Sequence, residues 1–293
     1  MIEIKNLQKG YENKREVLKN INATIQDGTV FGLVGANSAG KSTLLRLLAG
    51  ILEKDGGHVR VDGEEIYENE LVKRRMLFLS DEPYYTLNAT ANDLAEFYSA
   101  FYPLDESIFA EYLHKFAINP KTPIRNFAKG IRNQVFLILA LAISPKYLFL
   151  DEVFDGLDSF ARVVFRQGLK DLIERKNSVV IISSHSFREL EEMCDCYGIL
   201  HEGELICSGD LERDLYQLHK FQMAFDTQIS ESDFPFSCVS FEQTGRVVRL
   251  IAKGDENILE EKIEKLNPLF VEKMAVNLEE LFIGEARFRG YLK

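Results

Sequence analysis

The residues best equipped for chemistry lie between positions 35 and 43: Gly35, Ala36, Asn37, Ser38, Ala39, Gly40, Lys41, Ser42 and Thr43. Their pattern, G-x-x-x-x-G-K-[ST], answers the demands of a bound triphosphate. Gly35 and Gly40 let the backbone turn with its N–H groups inward and no Cβ in the way. Lys41 can reach the β- and γ-phosphates, and the Ser42 hydroxyl can ligate Mg²⁺. A second cluster, Asp151-Glu152, follows the apolar run Tyr147-Leu148-Phe149-Leu150. At the end of such a strand Asp151 can hold Mg²⁺, and Glu152 can polarise an attacking water as a general base. A third group, His185, closes the run Val179 to Ser184, where an imidazole can donate to a γ-phosphate.

These groups need elements to hold them. Val30 to Val34 reads as a buried strand and Ser42 to Leu48 as the start of an apolar helix, so the phosphates would meet a helix N-terminus. Further strand candidates are Ile2 to Ile4, His58 to Val61, Met76 to Leu79, Tyr147 to Leu150 and Val179 to Ser183. Helical stretches run over Ala91–Phe101, Ile108–Phe116, Asn133–Ala142 and Phe160–Arg175. This alternation predicts an α/β core with a largely parallel sheet and a helical insertion over about 84–142. Gly209-Asp210 reads as the close of a last hairpin. Beyond it, strand-like Phe221–Phe225, Val247–Ala252 and Leu269–Met274 and helical Glu256–Leu266 and Leu278–Phe282 predict a small separate α+β domain. The expected division is 1–210 and 211–293.

The bulk properties narrow the class. Lys and Arg number 35 against 46 Asp and Glu, a net charge of −11, which argues against nucleic acid as the main partner. The four cysteines, at 194, 196, 207 and 238, show no framework or zinc-finger spacing, as expected of reduced thiols. The opening Met1-Ile2-Glu3-Ile4-Lys5 alternates like a strand rather than a leader, and the longest apolar run, Val135 to Ile143, is far too short to span a bilayer.

In order and spacing the motifs resemble those of the ATP-binding cassette (ABC) ATPases of transporters, over residues 1 to about 209. Tyr11, thirty residues before Lys41, looks like the aromatic that stacks on adenine. Gly35 to Thr43 is similar to the Walker A loop of this P-loop NTPase fold, and Leu148 to Glu152 to Walker B. Asp158 matches the D-loop aspartate and His185 the switch histidine, while Ser183–Asp195 and Gly198–Leu205 resemble the family's close. The resemblance implies ATP and Mg²⁺ as ligands and a second cassette, with two chains closing head to tail over two ATP molecules. It also implies a membrane-spanning permease subunit as partner, and a place on the cytoplasmic inner face of the cell membrane.

Two segments depart from the family pattern. The signature, usually L-S-G-G-Q, stands here within Phe127-Ala128-Lys129-Gly130-Ile131-Arg132-Asn133-Gln134. Gly130 keeps the position where backbone approaches a partner's phosphate, Lys129 replaces the first glycine, and Ala128 lacks the serine hydroxyl that bonds the γ-phosphate. One lost bond to a charged acceptor is worth ~1.5–3 kcal/mol, enough to slow closure without abolishing it. The glutamine expected before the helical insertion aligns with Asp81, which would ligate Mg²⁺ or its water, or be only an exposed turn residue. Everything this chain contributes to its own ATP is intact and what it lends to a partner is altered, so the second cassette is expected as a homodimer partner or as a different cassette whose own signature is intact.

Tyr84, Tyr85 and their acidic neighbours Asp81 and Glu82 lie where the family receives a coupling helix of the permease. Leu278-Glu279-Glu280-Leu281-Phe282 resembles the closing motif of an accessory domain on exporters of drugs, peptides and lipids. Two functions follow from the resemblance: an ATPase driving an export-type transporter, or a nucleotide-gated regulatory or scaffold cassette with little hydrolysis. A soluble translation or repair protein is disfavoured by the single cassette, the lack of a long coiled-coil insertion and the acidic charge.

Overall fold

The structure, a computed structural model, describes residues 1–11, 15–288 and 291. The chain divides into two compact units, Met1–Ser208 and Gly209–Lys293.

The first unit is built on two sheets. Strands β1 (Ile2–Tyr11), β2 (Arg15–Ile25), β4 (Gly56–Val61) and β5 (Glu64–Glu65) form an antiparallel sheet in the order β2-β1-β4-β5. The alternation in the sequence reveals only part of this sheet: the first three residues of β1 and His58–Val61 of β4 read as strand, while the rest of β1, β2 and β5 do not. Register shifts after Ile4, Leu7 and Lys9, with Asn6 and Asn20 at positive φ, interrupt the period-two pattern that marks a half-buried strand.

The larger sheet has six strands in the order β10-β9-β3-β8-β7-β6. They are β3 (Val30–Val34), β6 (Met76–Leu79), β7 (Tyr147–Asp151), β8 (Val179–Ser184), β9 (Cys196–His201) and β10 (Glu204–Asp210). The pairs β3–β8, β3–β9, β7–β8 and β6–β7 are parallel. Every residue of β3, β7 and β8 is buried, as expected of parallel strands covered on both faces. Because β3, β8 and β7 are consecutive neighbours, the loop at Gly35, His185 and the pair Asp151-Glu152 leave three adjacent strands at one sheet edge. That carboxyl edge is where open parallel sheets bind ligands.

Helix α1 (Lys41–Leu48) follows β3, and Gly40 at φ 108 is its N-cap. A short α2 (Glu70–Lys73) precedes β6. Between β6 and β7 come α3 (Ala91–Ser99), started by a Thr90–Asp93 capping box, α4 (Glu106–Lys115), capped by Asp105, and α5 (Lys129–Ile143). Helix α5 begins four residues before its expected start, so the signature residues form its first turn. Its residues from Asn133 onward are all buried. Helices α6 (Ser159–Lys176) and α7 (Phe187–Met193) follow β7 and β8. The β9–β10 turn is Glu202-Gly203, both at positive φ, rather than Gly209-Asp210; Asp210 caps α8 (Leu211–Tyr216) instead.

The second unit is one antiparallel sheet in the order β12-β13-β11-β14, made of β11 (Leu218–Ala224), β12 (Cys238–Thr244), β13 (Val247–Lys253) and β14 (Phe270–Met274). With α9 (Glu256–Glu264) joining β13 to β14, this is the split-βαβ, ferredoxin-like order. Its first crossover, between β11 and β12, carries only the single 3₁₀ turn Glu231–Asp233. Aromatics occupy that place: Phe234 packs at 6.3 Å from Phe225, 5.6 Å from Phe236 and 6.0 Å from Phe241. They extend a core of Phe221, Met223, Val248, Leu250 and Ala252 beneath Leu259 and Ile263 of α9. Helix α10 (Leu278–Phe288) closes the unit and reaches six residues past its expected end.

Candidate active site

The turn from β3 into α1 is tight because it has to be. A Cβ on Gly35 would stand 2.2 Å from the Leu200 carbonyl oxygen of β9, so the loop seats against the neighbouring strand only as glycine. Lys41 is 4% exposed, and its Nζ donates to the carbonyls of Gly35 (2.9 Å) and Ala36 (3.3 Å). It also lies 3.2 Å from Glu152 Oε1. His185 Nδ1 stands 3.7 Å from Glu152 Oε2, so Glu152 lies between the ammonium and the imidazole.

Asp151, 1% exposed, accepts from two hydroxyls through one oxygen: Ser42 Oγ at 3.1 Å and Ser183 Oγ at 2.7 Å. Ser183 Oγ also accepts from the Glu152 N–H at 3.1 Å, and the Ser183 carbonyl accepts from the same N–H at 3.2 Å. Glu152 takes a left-handed φ of 52°. Ser183 therefore fixes both carboxylate residues, a role that sequence reasoning did not assign to it. The signal was there: a serine ending an all-apolar strand must find a partner when buried, and β8 pairs Ser183 with Asp151.

The donor set suits a small hard cation. Mg²⁺ takes one or two protein oxygens and fills its octahedron with water and substrate phosphate, and the Asp151 carboxylate and Ser42 hydroxyl are two such oxygens within hydrogen-bond distance of each other.

An open cleft of about 1320 Å³ lies over this edge, lined by Ala36 to Thr43 of the loop, Tyr11 and Glu152. Tyr11 is half exposed and its hydroxyl stands 3.4 Å from Thr43 Oγ1, which orients the ring at the cleft wall. Glu16, Lys19, His201 and Glu202 also line the cleft. They were not expected there, because the β1–β2 sheet and the β9–β10 turn that bring them are hard to read in the sequence.

The remaining expected residues lie elsewhere. Asp158 caps α6, accepting from the Ala161 N–H at 2.8 Å. Asp81 is exposed and, among the described residues, makes no hydrogen bond to Ser42 or Asp151. Its charge, with that of Glu82, acts on Lys129. Ala128 is the N-cap of α5 without a capping side chain, and Lys129 Nζ pairs with Asp155 Oδ2 at 2.7 Å. That bond holds the Lys129 ammonium above its usual range and the Asp155 carboxyl below its own. Residues 128–130 are not part of the cleft lining.

Known proteins resemble this chain along its length. The family described as "ABC transporter" matches residues 18–155. The chain belongs to that family, as an ATP-binding subunit and an ATPase. It is 32% identical to the ABC transporter ATP-binding protein YtrB of Bacillus subtilis (strain 168), over 99% of each chain. It is 32% identical to the lantibiotic transport ATP-binding protein SrtF of Streptococcus pyogenes, over 77% of this chain and 99% of that one. A solved ATP-binding subunit of an ABC transporter superposes with a TM-score of 0.66 at 24% identity, covering 74% of this chain and 92% of that chain. Among the described residues no helix is long and apolar enough to cross a membrane.

Proposed function

We propose that this subunit hydrolyses Mg²⁺–ATP to drive export through a separately encoded membrane permease, working as one half of a head-to-tail pair of cassettes on the inner face of the membrane. The observation that carries the hydrolytic part is the linked constellation Ser42–Asp151–Ser183 beside Lys41–Glu152–His185. Mg²⁺, held by Asp151 and Ser42, neutralises charge on the β- and γ-phosphates when bound.

The chain's own groups do the rest. Lys41 exchanges its loop carbonyls for phosphate oxygens, and the inward N–H groups of the loop at the start of α1 receive the remaining phosphate charge. Once Lys41 turns to phosphate, Glu152 loses an ion-pair partner and its carboxylate is free to take a proton from water. His185, on the far side of Glu152, donates toward the γ-phosphate. Tyr11 offers its ring to the base.

Residues 128–130 lie outside the cleft lining, and this supports their use by a second chain. Export is favoured by the likeness to SrtF, named for lantibiotic transport. Ala128 motivates the second reading, a nucleotide-gated scaffold with little turnover. Steady-state phosphate release by the purified chain separates the two. Mg²⁺-dependent turnover that disappears in Glu152→Gln supports the motor, whereas ATP binding without turnover, both by the chain alone and by the chain assembled with its permease and second cassette, sinks it.

A further inference from the structure

Lys129 occupies the first position of α5, where the helix macrodipole disfavours a cation. The first turn of α5 holds no acidic residue, and Ala128 offers no cap. The compensating charge comes from Asp155, 2.7 Å away and three residues beyond Glu152. Two further contacts join the same pieces. Asn133, 2% exposed, donates from Nδ2 to the carbonyls of Val153 (2.9 Å) and Asp155 (3.2 Å). Gly130 lies against the Gly156 carbonyl so closely that a Cβ would stand 2.3 Å from its oxygen. An ion pair, a buried amide and a close backbone contact thus fasten the first turn of α5 to residues 153–156.

Gly130 therefore has a reason within its own chain to be glycine, besides any approach to a partner's phosphate. The segment it touches starts at Glu152, which is tied to Lys41 and Ser183. The path from phosphate loop to signature is short and made of direct contacts.

We propose that Asp155 is a positioning residue: by pairing with Lys129 it makes the start of α5 and residues 153–156 one body, through which this chain's own nucleotide site sets the pose of the loop it lends to a second cassette. The proposal rests on the reading of residues 128–130 as that lent loop. Asp155 is not among the residues lining the cleft, and Asp81 and Glu82 are the other charges facing Lys129.

The test uses the full chain and four variants: Asp155→Asn, Lys129→Ala, the two combined, and the exchanged pair Lys129→Asp with Asp155→Lys. Amide exchange is followed at residues 132–136, the first hydrogen-bonded turn of α5, which opens with the Arg132 N–H to Ala128 carbonyl bond. Each single variant is expected to speed exchange there by roughly two- to fivefold, the range for an exposed ion pair. The combined variant should add nothing further. In turnover, Asp155→Asn should lower kcat by a similar factor while the ATP affinity of the chain's own site stays within about twofold. The exchanged pair should recover most of the loss in exchange protection, which a loss of general stability would not allow. Unchanged exchange in Asp155→Asn, or effects that multiply in the combined variant, overturns the proposal. If the wild-type chain turns over no ATP, the hydrolytic reading fails, while the exchange measurement needs no turnover and still decides this one.

Discussion

The phosphate-loop half of the site and the signature half are held in opposite ways. Lys41, Asp151 and Ser183 are all nearly buried and share a continuous set of hydrogen bonds and ion pairs. Lys129 and Asp155 are each almost half exposed and meet in one ion pair. Groups proposed to serve the chain's own nucleotide are organised in advance by the core, as electrostatic catalysis requires. Groups that would serve another chain stand in water, where a pair such as Lys129–Asp155 is worth at most about 1 kcal/mol. The first half is built to be rigid and the second to be settable.

The largest effect that sharpens this contrast is expected at Glu152. Glu152→Gln should lower kcat by about 10²- to 10⁴-fold, the usual worth of a positioned base. ATP binding should persist, checked by single-turnover assay and equilibrium binding. A variant still turning over at near the wild-type rate breaks the assignment.

Ser183→Ala should come next. It removes a 2.7 Å bond to a buried carboxylate, so kcat/KM should fall about 10- to 100-fold, from a loss of roughly 1.5–3 kcal/mol. More Mg²⁺ should be needed for half-maximal rate. A Mg²⁺ titration that overlays the wild type contradicts the role given to Ser183.

Ala128→Ser runs the other way, supplying the hydroxyl the signature half lacks. ATP-dependent association of Glu152→Gln chains should tighten by about 10- to 100-fold on regaining one bond to a charged acceptor, read by sedimentation. No gain would mean that the loop does not reach a partner's phosphate.

The smallest effect concerns pH. Asp155's carboxyl is held below its ordinary value and Lys129's ammonium above its own. The pair's contribution is thus complete between roughly pH 5 and pH 9. It is lost as pH falls through the depressed carboxyl value, and again as pH climbs through the raised ammonium value. Amide exchange at the start of α5, corrected for its intrinsic pH dependence, should be flat across that window.

The buried half was the more legible in the sequence, for a physical reason. A loop that cradles phosphate and a carboxylate at the end of an all-apolar strand demand particular residue types at fixed spacing, and β3, β7 and β8 appear as unbroken apolar runs. The antiparallel sheet was less visible because bulges after Ile4, Leu7 and Lys9 break its alternation. The start of α5 was missed because Lys129 and Gly130 are poor first-turn residues in isolation. Asp155, distant in sequence, supplies what that turn lacks. In the second unit, nothing local announced that an aromatic cluster around Phe234 would take the place of a crossover helix.

Glu152 carries one last consequence through its left-handed backbone. A residue with a Cβ gives up about 1–2 kcal/mol to sit there, and the Ser183 bonds to its N–H hold it in place. The general base thus stands on a backbone under load. Releasing the Ser183 bonds to its N–H would let that φ relax, so the left-handed turn lasts only as long as β8 holds it.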